Sequence, residues 1–399
     1  MNEKDRTEIE LAALAGELAI LMVIAKHLKK VDADTTYSDV AQWSLVGLVD
    51  IATIANNTSN LLTKRARRVF ANGAGEIDAW SSPLFAANAR TFHSVSDIYA
   101  ANAALQTGLG STVHTIETMF STSVMGLVNP KGRIVPIAQA YRESLQEAVS
   151  AMQAGELNYV QSIKRMTARM AQRGVRVFYP SGVTRDLYSA VSTNVYDNYR
   201  MTMQKAREEV GVAFGATGVE ISAHGLCAAD HLPYQGKQYS HAEFKRINDS
   251  LGRPIAHGYN CHHTTTPIIL GLSRPAQSRS QLKEYRQQSE RVVHTSNGDM
   301  TAYEFTQYQR RMETAIRKKY VEKAVLQAAG ADTAGLDSDI RDATRFYRAE
   351  SRAAGIQTHM ERITVYKPAK SPYTQRHTTH GATPFTRGCF LMCRKCGEK

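Results

Sequence analysis

Cysteine is scarce in this chain. Five occur among 399 residues, at Cys227, Cys261, Cys389, Cys393 and Cys396. An odd count at that density excludes a secreted scaffold built on disulfides and favours assembly in a reducing cytoplasm. Long apolar runs are missing as well. The longest, Leu11 to Ala25, is broken by Glu17, and a membrane span needs about 20 apolar residues. No membrane span is therefore expected. The opening residues Met1 to Arg6 mix both charge signs, unlike the basic start of a secretory leader. Gly108-Leu109-Gly110-Ser111 lacks the Lys-Ser/Thr ending and the preceding strand of a phosphate-cradling loop. Neither Gly-x-Ser-x-Gly nor Cys-Gly-x-Cys-Trp occurs, which removes two routes to nucleophilic hydrolysis. Acid is in deficit, with 37 Asp and Glu against 49 Lys and Arg, a formal net charge of +12. Such a surplus favours a polyanionic neighbour.

What is present is ordinary for a folded chain: 43% hydrophobic and 22% charged residues. The length suits two or three domains. Residues 1–173 read as mostly helical. Ile9, Leu11, Leu14, Leu18, Leu21, Met22 and Leu28 recur at helical spacing. Ser38 is the expected N-cap of a second helix, which turns basic at Lys64 to Arg68, and Pro83 suits the first turn of a third. Pro136 to Met170 carries two more helices, broken at Gly155, and Gly174 sits where a C-terminal stop belongs. Val175 to Tyr179 alternates like a strand, and Pro180-Ser181-Gly182 is a turn. A helix is expected from about Thr184 to Gly211, then a short strand at Gly218 to Ser222. Residues 223–267 read as loop, with one short helix opened by the capping box Ser240/Glu243. A second capping box, Thr301/Glu304, opens a long polar helix to about Ala329, and a last helix stops at Gly355. No internal repeat is visible. The expected class is α+β, mostly α. It divides into a helical region 1–173, a small central α+β domain 174–275, a basic helical arm 276–366 and a flexible basic tail 367–399.

Chemistry concentrates in two places. The first runs from His224 through Cys227, Asp230, His231, Gln235 and Gly236 to Asn260, Cys261, His262 and His263. Thiolate and imidazole are the ligands that borderline metals take. Cys227 with His231, and Cys261 with His262 or His263, make up a four-ligand set. Cys-x3-His is a weak finger spacing, however, and neighbours such as Cys261 and His262 point to opposite sides of an extended backbone. The favoured reading is a hydrogen-bonded loop core in which Asp230, His231, Asn260 and His262 satisfy buried backbone groups. A His-Asn-His nuclease would need the same residue types, but its strand-strand-helix spacing is absent.

The second place is the tail. Cys389, Cys393 and Cys396 supply three thiolates, with His377 or His380 as a fourth ligand, and zinc is the ion they suit. Seven basic residues and one acid lie between Lys367 and Lys399. Lys367, Lys370, Arg376, Arg387, Arg394 and Lys395 interleave with Tyr366, Tyr373, Phe385 and Phe390. Cations of that kind bind phosphate and the rings stack on bases, so double-stranded DNA is a candidate partner.

The central words also carry a resemblance. Val219-Glu220-Ile221-Ser222-Ala223-His224, Cys227-Ala228-Ala229-Asp230-His231, Gln235 to Ser240, Asn260-Cys261-His262-His263 and Pro267-Ile268-Ile269-Leu270-Gly271 resemble the phage minor capsid protein 2 family. That family is similar to the Mu F-type head morphogenesis proteins. Gly174 to Val177, Asn194-Val195, Gln309 to Glu313 and Arg362 to Val365 extend the likeness over residues 1–366. His262 stands where the family often has Arg. The resemblance implies a structural protein of the phage head and not an enzyme. It implies a place at the portal vertex and partners in the portal and major capsid proteins. It implies a part in head assembly and in DNA packaging or exit, with assembly in the host bacterial cytoplasm. The residues themselves keep two alternatives open: a DNA-binding protein delivered with the genome, and a metal-dependent nuclease-like enzyme.

Overall fold

In the computed structural model, the described residues are 1, 3–87, 94–154, 159–258 and 261–363. The first helix, α1 (Glu3–Lys29), packs along α2 (Tyr37–Ala87), which at 51 residues is roughly 75 Å long. Thr36 opens α2: its hydroxyl accepts from the Asp39 amide at 3.2 Å, and the Asp39 carboxylate accepts from the Thr36 amide at 2.8 Å. That capping box displaces the expected Ser38. Pro83 does not begin a helix. It lies inside the last turns of α2, where its missing N–H costs one backbone bond. The basic run of α2 faces the acidic start of α1, with Arg68 on Asp5 at 3.2 Å and on Glu8 at 2.7 Å.

Next come α3 (Tyr99–Met119), β1 (Met125–Val128), β2 (Ile134–Pro136), α4 (Ile137–Gln153), α5 (Tyr159–Arg173), β3 (Arg176–Phe178), β4 (Thr184–Asp186) and α6 (Leu187–Phe214). The four strands form one antiparallel sheet ordered β2-β1-β3-β4. Thr184 to Asp186 is thus strand, and α6 starts later than expected, with the Asp186 side chain accepting from Ser189 N at 2.9 Å. It also passes Gly211 and stops at Gly215, whose φ is +84°. A Cβ on Gly211 would stand 2.4 Å from Pro267 Cβ, so this glycine serves a close approach and ends nothing.

Beyond α6 lie β5 (Gly218–Ile221), β6 (Gln238–Ser240), α7 (His241–Ser250) and β7 (Thr265–Ile268), with the antiparallel sheet order β6-β5-β7. The chain continues through α8 (Arg279–Glu290), the hairpin β8 (Val292–Thr295) and β9 (Gly298–Thr301), α9 (Ala302–Ala328), α10 (Ala334–Ala353) and α11 (Met360–Ile363). Mostly helical, with three small antiparallel sheets among the described residues, the fold is the expected α+β class.

An arrangement that the sequence hid recurs along the chain. Helix, hairpin, helix occurs as α3-β1-β2-α4, as α5-β3-β4-α6 and as α8-β8-β9-α9. Gly132, Gly182 and Gly298 turn the three hairpins with φ of +81°, +79° and +97°. The first two units meet through β1 and β3, pairing Met125 with Val177 and Gly126 with Arg176. Only the turn glycine and the helix start recur in sequence, which is too little to stand out as a repeat.

A continuous apolar core joins α1 to α6 and takes in Val321 and Val325 of α9. Ile20, Leu21, Ile24, Leu28, Ile51, Leu62 and Ile116 are among its fully buried members. The charged face of α9 is largely spent on neighbours. Arg317 lies 3.9 Å from the centre of the Tyr188 ring, and Arg310 pairs with Glu313. Lys319 and Lys323 reach Asp339 and Asp337.

Candidate metal centre

Pairing of β5 with β6 and β7 sets two loops face to face. The β5–β6 loop carries His224, Cys227, Asp230, His231, Gln235 and Gly236; the α7–β7 loop carries Arg253, Cys261, His262 and His263. Ser222 N donates to Thr264 O, and Thr264 N to Ser222 Oγ, both at 2.9 Å. Gly236, at φ +68°, returns its amide to Ile221 O at 2.8 Å and closes the first loop. The second is gripped from α6. The Arg200 guanidinium donates to Ala256 O and, at 2.6 Å, to Gly258 O. Gln204 accepts from Thr265 N at 2.9 Å and donates back to Thr265. Leu226 and Ala256 are the two non-glycine residues with positive φ among those described, at 58° and 64°. Both lie in these loops, a conformation that costs about 1 kcal/mol or more each.

Cys261 stands between two imidazoles. Its Sγ is 3.6 Å from His231 Nδ1 and 3.6 Å from His263 Nδ1, and the Ala256 amide donates to it at 3.3 Å. All three side chains are about 2% exposed. Burial by itself raises the thiol, but hydrogen bonds from His231, His263 and the Ala256 amide outweigh it and bring Cys261 down to about 5. Burial likewise opposes charge on His231, yet the Cys261 thiolate and the Arg253 carbonyl hold that imidazole above its ordinary value. The outer nitrogens are tied. His231 Nε2 donates to Arg253 O at 2.8 Å, and His263 Nε2 faces Gln235 Oε1 at 3.3 Å.

Cys227 lies on the far side of His263, its Sγ 3.6 Å from Nε2. Burial first, then Asp230, pushes this thiol up to about 12, and it donates to Ala228 O at 3.2 Å. His224 is tilted against His263 with ring centres 4.6 Å apart. Its Nδ1 donates to Gly225 O, and its buried Nε2 has no hydrogen-bond partner among the described residues. His224, Cys227 and His263 form one set of converging ligands; His231, Cys261 and His263 form another.

The remaining residues singled out by sequence take other places. Asp230 is half-exposed and pairs with Arg253 at 2.9 Å. His262 points outward and meets Tyr196 Oη at 3.2 Å, on the opposite side from Cys261. Gln235 is buried and accepts from the His224 amide at 3.1 Å. Asn260 lies outside the described residues, as do Cys389, Cys393, Cys396, Lys367, Lys370, Arg376, Arg387, Arg394 and Lys395. Sequence reasoning passed over Arg200, Gln204 and Ser289, whose Oγ accepts from the Cys227 amide at 2.9 Å. Long-range grips of this kind leave no local pattern. Buried thiol and imidazole groups that converge in this way are the kind of ligand set that borderline metals take.

Fold and site together define a helical scaffold whose polar loops are locked from within. The family model for phage minor capsid protein 2 matches residues 14–352, and the chain belongs to that family. It is a structural protein of the phage virion that works among other capsid components. No curated protein and no solved structure matches it.

Proposed function

We propose that this minor capsid protein occupies the portal vertex of a tailed-phage head, docked on the portal protein beside the major capsid protein. From there it serves head assembly and DNA packaging or exit, after assembly in the host cytoplasm. The observation that carries this reading is an apolar strip on α2. Leu45, Val46 and Val49 are 69%, 52% and 66% exposed on one face of the helix. Contiguous apolar side chains in water mark a surface that a partner covers. The test is mass spectrometry of purified heads, with portal co-purification, for the wild type and for Leu45→Glu/Val49→Glu. The variant should keep its Tm and be lost from heads. Incorporation at the wild-type level would refute docking through α2, and absence of the wild type from heads would refute the assignment.

A specific observation also favours contact with DNA. Arg341, Arg345, Arg348 and Arg352 recur at helical spacing along α10 and line a shallow groove with Tyr320. All four are exposed. Phosphates bind such a row, and each contact steepens the salt dependence of affinity by roughly 0.9 in log-log slope. Replacing all four by Ala should flatten the slope for duplex DNA by roughly 4. An unchanged slope removes this face from the reading.

A further inference from the structure

We infer that His231, Cys261 and His263 bind one zinc ion, which ties the β5–β6 loop to the α7–β7 loop. Three features point there. The first is distance. Zinc takes sulfur at about 2.3 Å and nitrogen at about 2.0 to 2.1 Å, so a tetrahedral site has S···N edges of about 3.5 Å. Both edges from Cys261 Sγ, to His231 Nδ1 and to His263 Nδ1, are 3.6 Å.

The second is the set of outer contacts. A ligating imidazole usually donates its other N–H to an oxygen, which fixes its tautomer and its direction. His231 does this to Arg253 O and His263 to Gln235 Oε1. Both Nδ1 lone pairs are then left to converge on the ion, while the Ala256 amide supports the thiolate from behind. Binding displaces the Nδ1 protons through which His231 and His263 hydrogen-bond the Cys261 sulfur, as is usual when thiol and imidazole become ligands.

The third feature selects between the two overlapping ligand sets. His263 belongs to both, and a neutral imidazole gives one lone pair to one ion. Its Nε2 side is already engaged by Gln235, and the thiol on that side, Cys227, donates to Ala228 O as a protonated group would. The ion therefore sits on the Cys261 side.

The test uses the full chain with Cys389, Cys393 and Cys396 changed to Ser, so that the tail thiols contribute nothing. Elemental analysis should find about one zinc per chain. Replacement by cobalt(II) should give a thiolate charge-transfer band and the strong visible absorption of a tetrahedral ion. Adding Cys261→Ser or His263→Gln should cut bound metal to about a tenth or less, while Cys227→Ser should keep it. A chelator should lower Tm by several degrees. Failure of the metal-free chain to develop the cobalt charge-transfer band on titration overturns the site, whether or not any variant folds. Metal kept in Cys261→Ser, or lost in Cys227→Ser, overturns the choice of ligands. An unchanged Tm after the ion is removed overturns its role as a tie.

Discussion

Across α1 to α6 the chain hides Ile20, Leu21, Ile24, Leu28, Ile51, Leu62 and many neighbours in one apolar mass. Between β5 and β7 the corresponding cluster is only Val219, Ile221, Phe244, Ile255 and Ala256. Apolar burial is non-directional, so the helical region gains stability roughly in proportion to the area it covers. So small an apolar cluster cannot offset the entropy of ordering two long loops. The loop region relies instead on directed contacts: Arg200 on two carbonyls, Gln204 on Thr265, and the Cys261 thiolate between His231 and His263. Contacts of that kind add little net stability each but cost more when one partner is removed. The helical region should therefore tolerate polar losses and suffer from cavities. The loops should behave the other way round.

The largest expected effect tests the apolar side. Leu62 is fully buried in α2. Leu62→Ala should lower unfolding free energy by about 4 kcal/mol, from lost transfer energy and the cavity left behind. Denaturant titration should show the probes across α1 to α6 weakening together. A loss under about 1 kcal/mol would mean that the core around α2 is loosely packed.

Next in size is the polar exception inside that apolar mass. Glu17 of α1 is buried and accepts from Val175 N at 2.9 Å. Burial first, and Asp186 second, raises its carboxyl from 4.5 to about 7, against the pull of Arg317. A raised acid favours the protonated form in the folded state. Its stability contribution is whole below 4.5, falls as pH rises, and is gone above about 7. Over that window the loss is about 3 kcal/mol. Glu17→Gln should remove this slope, matching the wild type at pH 4 and exceeding it at pH 8. Parallel stability-against-pH curves for the two proteins would show that Glu17 ionises freely in the fold.

Local chemistry made part of this legible beforehand. The capping boxes Ser240/Glu243 and Thr301/Glu304 start α7 and α9 as read, because a cap needs only four residues. Gly174 and Gly355 stop helices with φ of +67° and +60°. What tertiary packing decides was hidden. Gly211 looked like a stop but lies inside α6, since Pro267 presses on it. Pro83 looked like a start but rides in the last turns of α2. The strands of β1–β2 and β8–β9 are three or four residues long, too short for alternation to register. The His- and Cys-bearing words lie in the two loops that the β6-β5-β7 sheet brings face to face. Which of His262 and His263 turns inward depends on how the segment leading into β7 is held by tertiary contacts. The grip of Arg200 on residues 56 and 58 positions away leaves no mark in the sequence.

The loop side is tested by that grip. Arg200 is 5% exposed. Arg200→Ala leaves the Ala256 and Gly258 carbonyls without their donor, a loss of about 2 kcal/mol. Hydrogen exchange should quicken first in the α7–β7 loop and spare the interior of α2. Arg200→Lys should restore little, because an ammonium cannot span two carbonyls as a guanidinium fork does. Uniform quickening across α1 to α6 would mean that the loops share the stability of the helical core.

The smallest effect falls on the helix common to both kinds of region. The start of α9 packs with the small cluster of Val293, Ala302, Phe305 and Ala354, and its end adds Val321 and Val325 to the large core. The Thr301 hydroxyl accepts from Glu304 N at 3.2 Å, while the Glu304 carboxylate accepts from Thr301 N at 2.7 Å. Thr301→Ala removes one half of that box and should cost about 1 kcal/mol. Exchange should rise over Ala302 to Phe305 and stay slow at Val321 and Val325, whose burial does not depend on the cap. If protection at Val325 falls as far as at Phe305, α9 opens as one unit, and the division between cap-held start and core-held end is lost.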